Sequence, residues 1–220
     1  YGFRIVITVH DVDSLSGHSL PIIAKRTYVL ADRIIVHNQF SKRELISRYE
    51  NIGEKVAVIP HGNYIDFIDK GISKKQAIEK LVLKGEGPFL LFWGQIKRTK
   101  GLDVLLDALP AVIREMPSLQ LIIAGKVWKD DFSKYQRQIK ILGLAENTIT
   151  HVQYIPDELV AYYFKAAELV VLPYRKVYQS GVLLMVMSHR RPVVVSDLDG
   201  MTETIRDNQN GFVFRNEDAD

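Results

Sequence analysis

Apolar and polar positions alternate along this chain in blocks. Short runs rich in β-branched residues are each followed by a few polar residues and then by a stretch with helical spacing. Phe3 to Val9 (FRIVITV), Arg33 to Val36 and Lys55 to Ile59 (KVAVI) read as buried strands. His10 and Asp11, His37 to Gln39, and Pro60 to Gly62 follow them. Ile22 to Ala31 has helical spacing, and the S-x-x-E of Ser41 and Glu44 predicts a capping box opening a helix that runs to Tyr49. Right-handed crossovers would place the three strand ends on one edge of a parallel sheet.

Asn63 to Pro88 breaks the rhythm. It is rich in Lys and Gly and holds one amphipathic piece, Lys74 to Leu83. The domain junction is expected here, with an amino-terminal lobe over residues 1–70, a linker region over 71–88 and a carboxyl-terminal lobe over 89–220. The second lobe repeats the alternation. Strands are predicted at Phe89–Trp93, Leu119–Ala124 and Ile149–Tyr154, and helices at Leu102–Met116, Asp131–Leu142 and Asp157–Ala167. The stretch from Glu168 to Ile205 then reads strand, loop, helix, strand, loop, helix, and Gly211–Arg215 is a last short strand. The fold class is α/β, two doubly wound lobes facing a cleft.

In the Glu168–Ile205 stretch, Pro173 ends the strand, Tyr174 to Gln179 is polar, and Ser180 and Gly181 open an apolar helix. Unpaired N–H groups at such a helix start, held at the carboxyl end of a parallel strand, suit an anion. Gly181 admits close approach to the backbone, and Ser180 can cap the helix or donate to a phosphate oxygen. An ordinary α/β crossover with a Ser cap fits the same residues. Gly94 to Gly101 (GQIKRTKG) puts Lys97, Arg98 and Lys100 between a strand and a helix, where cations suit a diphosphate; a solvated basic loop is the plainer reading.

Composition narrows the choices. With 29 basic and 26 acidic residues the net charge is only +3, which does not suit a polyanion binder, so nucleic acid is not expected as a partner. The chain contains no cysteine, which excludes disulfides, thiolate metal sites and cysteine nucleophiles. No apolar run reaches the length of a membrane span. Neither a P-loop, a G-x-G-x-x-G turn nor a G-x-S-x-G elbow is present. Two D-x-D pairs, Asp11 with Asp13 and Asp197 with Asp199, are weak metal motifs, and no metal site is assigned. His10, His37 and His61 each follow a strand of the first lobe and so are candidates for the cleft, although His37, like His189, reads as a residue bonding backbone.

Several segments together resemble the retaining GT-B glycosyltransferases of family 4 (glycosyl transferases group 1): ADRIIVHNQFSKREL (31–45), KVAVIPHGNY (55–64), LLFWGQIKRTKGLDVLLDAL (90–109), LIIAGK (121–126), YIPDELVAYYFKAAELVVLPY (154–174), PVVVSDLDGMTETI (192–205) and NGFVF (210–214). The resemblance covers nearly the whole chain in order. It implies two Rossmann-like lobes, with the chain beginning partway through the first and ending before the family's last helix. It implies a nucleotide-sugar-dependent retaining hexosyltransferase that moves a sugar from a UDP-, GDP- or ADP-linked donor to a glycan or lipid acceptor, as in polysaccharide biosynthesis, without cofactor or required metal.

Residue by residue, the resemblance gives Lys100 and His10 catalytic positions at the diphosphate and the transferred sugar. Lys97, Arg98, Gln179, Ser180, Gly181 and Val182 join Lys100 around the diphosphate. Gln95 and Glu203 lie toward the base and sugar; read from the residues themselves, Tyr154 is an aromatic that could stack a base and His61 a further cleft candidate. Gln95 replaces the family's usual Arg, and Val177 and Met185 replace its two glutamates, the second of which normally holds the ribose hydroxyls. Glu203 would orient the sugar or cap the helix that it begins. The implied place is the cytoplasm, with the inner face of a membrane for any peripheral contact through Lys25, Arg26, Lys42 and Arg43. A non-catalytic homologue binding a nucleotide sugar or a partner, suggested by Gln95 and Met185, and a nucleotide-sugar epimerase are the alternatives.

Overall fold

The computed structural model describes residues 2–13, 21–68, 71–85 and 87–219. Residues 14–20, between β1 and α1, lie outside the described residues. Two parallel sheets are present. The first contains β1 (Val6–Thr8), β2 (Arg33–Val36) and β3 (Val56–Val58) in that order, linked through α1 (Pro21–Leu30) and α2 (Gln39–Arg48). Thr8 pairs with Ile35 and Val36 with Val58, so the residues just past each strand come out side by side. Ile34, Val36, Leu45 and Val56 form its buried centre. Strand β1 is shorter than Phe3–Val9, because it is paired only to β2 and Phe3 is 94% exposed.

The second sheet has six strands: β4 (Phe89–Trp93), β5 (Gln120–Ala124), β6 (Thr148–His151), β7 (Leu169–Leu172), β8 (Val193–Ser196) and β9 (Phe212–Phe214). Their order is β6-β5-β4-β7-β8-β9, all parallel. Taken from β4 as the first strand, this is the doubly wound 3-2-1-4-5-6 arrangement, and direction of travel reverses between β4 and β7. All five residues of β4 are buried, as a central strand covered on both faces requires.

Helices α4 (Leu102–Glu115) and α5 (Ser133–Ile141) lie on one face, and α6 (Asp157–Ala166) and α7 (Gly181–Ser188) on the other. On α4, Leu102, Leu105, Leu106 and Leu109 recur at helical spacing and are buried against Phe92, Leu121 and Ile123. Each contributes about 1.5–3 kcal/mol of apolar burial. Helix α3 (Lys74–Lys80), inside the segment expected to join the lobes, opens with a true capping box between Ser73 and Gln76. Its Ala77, with Leu81 and Leu83 beyond, packs into the same core as Phe89 and Phe164.

Two sequence expectations are corrected here. Helix α2 begins at Gln39 rather than at a Ser41–Glu44 box. Asn38 is its N-cap, with Oδ1 accepting from Ser41 N–H at 2.7 Å; Ser41 is buried and Glu44 pairs instead with Arg48 at 2.9 Å. The Asn side chain competes better for the orphan N–H groups than a Ser one turn inside the helix. Helix α5 starts at Ser133, because Asp131 accepts both the backbone N–H and the hydroxyl of Ser133.

At the switch point the chain comes close to itself. Gly101 has φ 64°, and a Cβ there would lie 1.8 Å from the Pro173 carbonyl oxygen. Gly101 ends the β4–α4 loop and Pro173 begins the β7–α7 loop, so this contact sets the two loops against each other. Gly101→Ala is expected to cost at least about 2 kcal/mol, from left-handed strain plus displacement of that carbonyl. Urea unfolding should show a lower midpoint at unchanged slope, and an unchanged midpoint would refute the contact's importance.

Candidate functional site

The site is built where the two sheets face each other at the switch point. Three segments of the second sheet meet there: the Gly94–Lys100 loop after β4, the 173–180 loop after β7, and the start of α7. Arg175 binds the two loops together. Its guanidinium donates to both Asp103 oxygens at 2.5 and 2.9 Å and to Glu217 at 2.7 Å, and its backbone N–H donates to the Thr99 carbonyl at 2.9 Å. This bidentate pairing holds Asp103 well below the usual carboxylate range, despite the opposing effect of burial.

Lys100 stands with its ammonium 3.5 Å from the centre of the fully buried Tyr174 ring. Burial lowers its pKa to about 7, with Asp11 acting weakly in the opposite direction. Lys97 is lowered too, first by burial and then by Lys100. Lys97 and Lys100 are thus half-buried side by side, and their charged forms gain when an anion is brought to them. Facing them from the first sheet is Asp11, raised by burial, with Lys97, Lys100, His10 and Lys176 opposing that rise.

Helix α7 opens as expected, with Ser180 as N-cap and its Oγ accepting from Leu183 N–H at 3.1 Å. The buried Ser180 hydroxyl also stands beside the Tyr174 phenol, whose burial-raised pKa it partly offsets. Gly181 presents bare backbone across the cleft, and a Cβ there would lie 3.2 Å from the Tyr64 hydroxyl. His10, His37 and His61 do gather, with ring centres 4.9 Å apart for His10–His37 and 5.4 Å for His37–His61.

The structure departs from expectation at Glu203. Glu203 neither begins a helix nor stands free for a sugar. It closes α8 (Asp199–Thr202), and its carboxylate accepts from the N–H groups of Gln39 and Phe40 at 2.7 and 2.8 Å, capping α2 in the other lobe. The uncompensated N–H groups and positive dipole end of α2 draw the carboxylate there. Gln95 and Arg98 are exposed, and Tyr154 is 69% exposed. Of the D-x-D carboxylates, Asp13 pairs with Arg48 and Lys176, and Asp197 accepts from Asn216 N–H. Lys25, Arg26 and Arg43 are exposed and Lys42 half-buried.

Some contributors carry no motif. Tyr174 is legible only as an aromatic after a strand, and Tyr64 as part of the HGNY segment. Beside the switch point a cavity of about 430 Å³ is lined by Tyr64, Ile68, Asp157, Val160, Met185 and His189. Its lining draws on the first lobe's trailing segment and on α6 and α7, a combination only the tertiary structure makes.

The architecture is that of a two-lobed GT-B protein. Its fold is shared with Anabaena HepE in complex with UDP and glucose, at a TM-score of 0.85 and 20% identity, covering 98% of this chain and 59% of that one. It is shared also with a sucrose-phosphate synthase of Thermosynechococcus elongatus, at a TM-score of 0.78 and 20% identity, covering 100% of this chain and 56% of that one. Residues 87–220 match the family described as Glycosyl transferases group 1, and the chain belongs to that family. A D-inositol 3-phosphate glycosyltransferase of Streptomyces scabiei is 27% identical over 195 residues, which is 86% of this chain and 44% of the relative. The chain thus spans under half the length of that curated relative. No helix among the described residues is long and apolar enough to cross a membrane.

The state of Lys100 has a measurable consequence. With a pKa of about 7, roughly half of it is neutral at pH 7, and an anion bound beside it favours the charged form. An anion that binds beside Lys100 and does not itself titrate between pH 6 and 8 should therefore be bound with proton uptake at pH 7, more at pH 8 and less toward pH 6. Calorimetry in two buffers of different ionisation enthalpy reads this directly. Lys100→Arg, which stays charged throughout, should lose most of the uptake.

Proposed function

We propose that this chain binds the nucleoside-diphosphate sugar of a retaining hexosyltransferase, and that the whole protein transfers the sugar to a hydroxyl of a glycan or lipid acceptor. The observation that carries this reading is the pair of half-buried lysines, Lys97 and Lys100, the second over the Tyr174 ring, held at a doubly wound switch point beside the N-terminus of α7. Family membership and the UDP found with Anabaena HepE support it, and favour UDP as the nucleotide.

Lys97 and Lys100 would take the diphosphate from one side. The amides of Ser180, Gly181 and Val182, with the Ser180 hydroxyl, would take it from the other, and Arg98 and Gln179 would stand around it. His10 would face the transferred sugar. The base and ribose would extend past Gln95 and Tyr154 toward the cavity beside Met185, with His61 at the cleft wall. In the reaction, the bond between the sugar's anomeric carbon and the diphosphate oxygen breaks, with the electron pair leaving on the diphosphate. The acceptor oxygen bonds to the anomeric carbon from the same face, and its proton passes to the departing phosphate oxygen. Preorganised donors at the leaving oxygens supply the largest part of the barrier reduction. Because ammonium groups and amides take the developing charge, the proposal includes no metal ion.

A nucleotide-binding homologue without transferase activity is the second reading, favoured by apolar Met185 in the cavity wall. Thermal unfolding with UDP, GDP and ADP tests the binding. UDP at about 100 times its dissociation constant should stabilise the chain by about 2.7 kcal/mol, with GDP and ADP giving less. Lys100→Ala should weaken UDP binding at least about tenfold, by loss of a charge-assisted contact. Equal UDP affinity in the variant would sink the diphosphate assignment. UDP binding without sugar transfer by the whole protein would favour the second reading.

A further inference from the structure

We propose that His37 is a positioning residue that sets the tautomer of His10, so that His10 offers the cleft an unprotonated Nε2. The inference rests on the reading of His10 as the group facing the transferred sugar. Its geometry comes from the parallel register of the first sheet. Thr8 pairs with Ile35, so two residues on, His10 lies beside His37. Val36 pairs with Val58, so one residue on, His37 lies beside Ile59.

Two contacts carry the argument. His37 Nδ1 lies 3.0 Å from the carbonyl oxygen of Ile59. A carbonyl can only accept, so His37 Nδ1 holds a hydrogen and, in the neutral ring, His37 Nε2 holds a lone pair. That Nε2 lies 3.2 Å from His10 Nδ1. His10 Nδ1 therefore holds the hydrogen of the second bond, and the lone pair of neutral His10 is on Nε2. Ile59 is held in place by its own N–H, which donates to the Val36 carbonyl at 2.9 Å. His61 packs edge-on to His37 at 72°, with its Nδ1 2.7 Å from the Gly62 carbonyl, and so limits rotation of the central ring. The backbone thus dictates one tautomer through two rings, and it is the opposite of the Nε2–H form that a free imidazole favours.

The chemistry suits glycosyl transfer. As the bond to the diphosphate breaks, positive charge develops on the sugar ring. A lone pair on Nε2 is attracted to that charge and accepts from a sugar hydroxyl, whereas an Nε2–H would oppose the charge. His37 touches neither sugar nor diphosphate in this arrangement; it acts through His10.

Long-range ¹H–¹⁵N correlation spectra of the labelled chain at pH 8, well above the ordinary imidazole range, read the tautomer without any need for activity. His10 is expected as Nδ1–H in the unaltered chain. In His37→Phe, which keeps a flat ring but has no acceptor, it should revert to Nε2–H. His37→Gln, whose amide oxygen can accept, should restore Nδ1–H. UDP affinity should be unchanged in both variants, while affinity for UDP-glucose should fall about threefold to tenfold in His37→Phe and recover in His37→Gln. An Nε2–H His10 in the unaltered chain overturns the proposal, and so does an unchanged tautomer in His37→Phe. Should His37→Phe fail to fold, His37→Leu, which also lacks an acceptor, takes its place, and an unchanged Nδ1–H His10 there overturns the proposal. Failure of UDP to bind any form would count against the transferase reading alone, since the spectra judge His37 independently.

Discussion

The cleft depends on how the N-terminus of α2 is satisfied. Four N–H groups of a helix start lack intrahelical partners. Here one is taken by Asn38 within its own lobe, and those of Gln39 and Phe40 are taken by Glu203 from the other. Asn38 adds a second tie, its side-chain amide donating to the Tyr178 carbonyl at 2.6 Å. Tyr64 adds a third, its N–H donating to Ser188 Oγ at 3.0 Å. Charge-assisted bonds to a helix N-terminus are directional, and so they fix the angle between lobes as well as the distance. The facing of His10 and Asp11 toward the Lys97–Lys100 loop follows from that angle.

Within the second lobe, the site rests on backbone closeness. The β4–α4 and β7–α7 loops can lie against each other because Gly101 has no Cβ, and Gly125 lets the β5 loop approach the Gly94 carbonyl in the same way, with φ 143° and a would-be Cβ 1.9 Å from that oxygen. Arg175 then locks the loops by charge. The outcome is a half-buried position for Lys100, with its ammonium over the Tyr174 ring. A solvated lysine carries its charge whether or not a ligand is present. One that has lost part of its hydration gains more when an anion arrives, and this difference is what a leaving diphosphate can use.

Much of this was legible in the residue pattern. The strands β2 and β4 were predicted to the residue, because short apolar runs bounded by Pro, Gly or polar residues allow little else. Spacing marked Lys97, Lys100, Ser180 and Gly181 as cations and a helix start at strand ends, with a solvated basic loop and an ordinary crossover fitting equally or better; the family resemblance gave them their places at a diphosphate. Less legible were features that hydrogen-bonding competition decides. Ser41 with Glu44 had the form of a capping box, yet Asn38 three residues earlier won the helix start. Glu203 had the form of a local cap or sugar ligand, yet a helix N-terminus far away in sequence was the better electrostatic partner.

By itself, then, the sequence determined the alternation of strands and helices, the parallel sheets and the chemical character of the basic loop, since each depends on local periodicity and on residues close together in the chain, while the family showed as a resemblance of whole segments. The tertiary structure alone decided which groups face each other. The register of three parallel strands set His10 against His37 and Ile59; a missing Cβ at Gly101 brought two loops together over Tyr174; and a carboxylate from one lobe closed the helix of the other. These are relations of distance and orientation between residues far apart in sequence, and no local pattern encodes them.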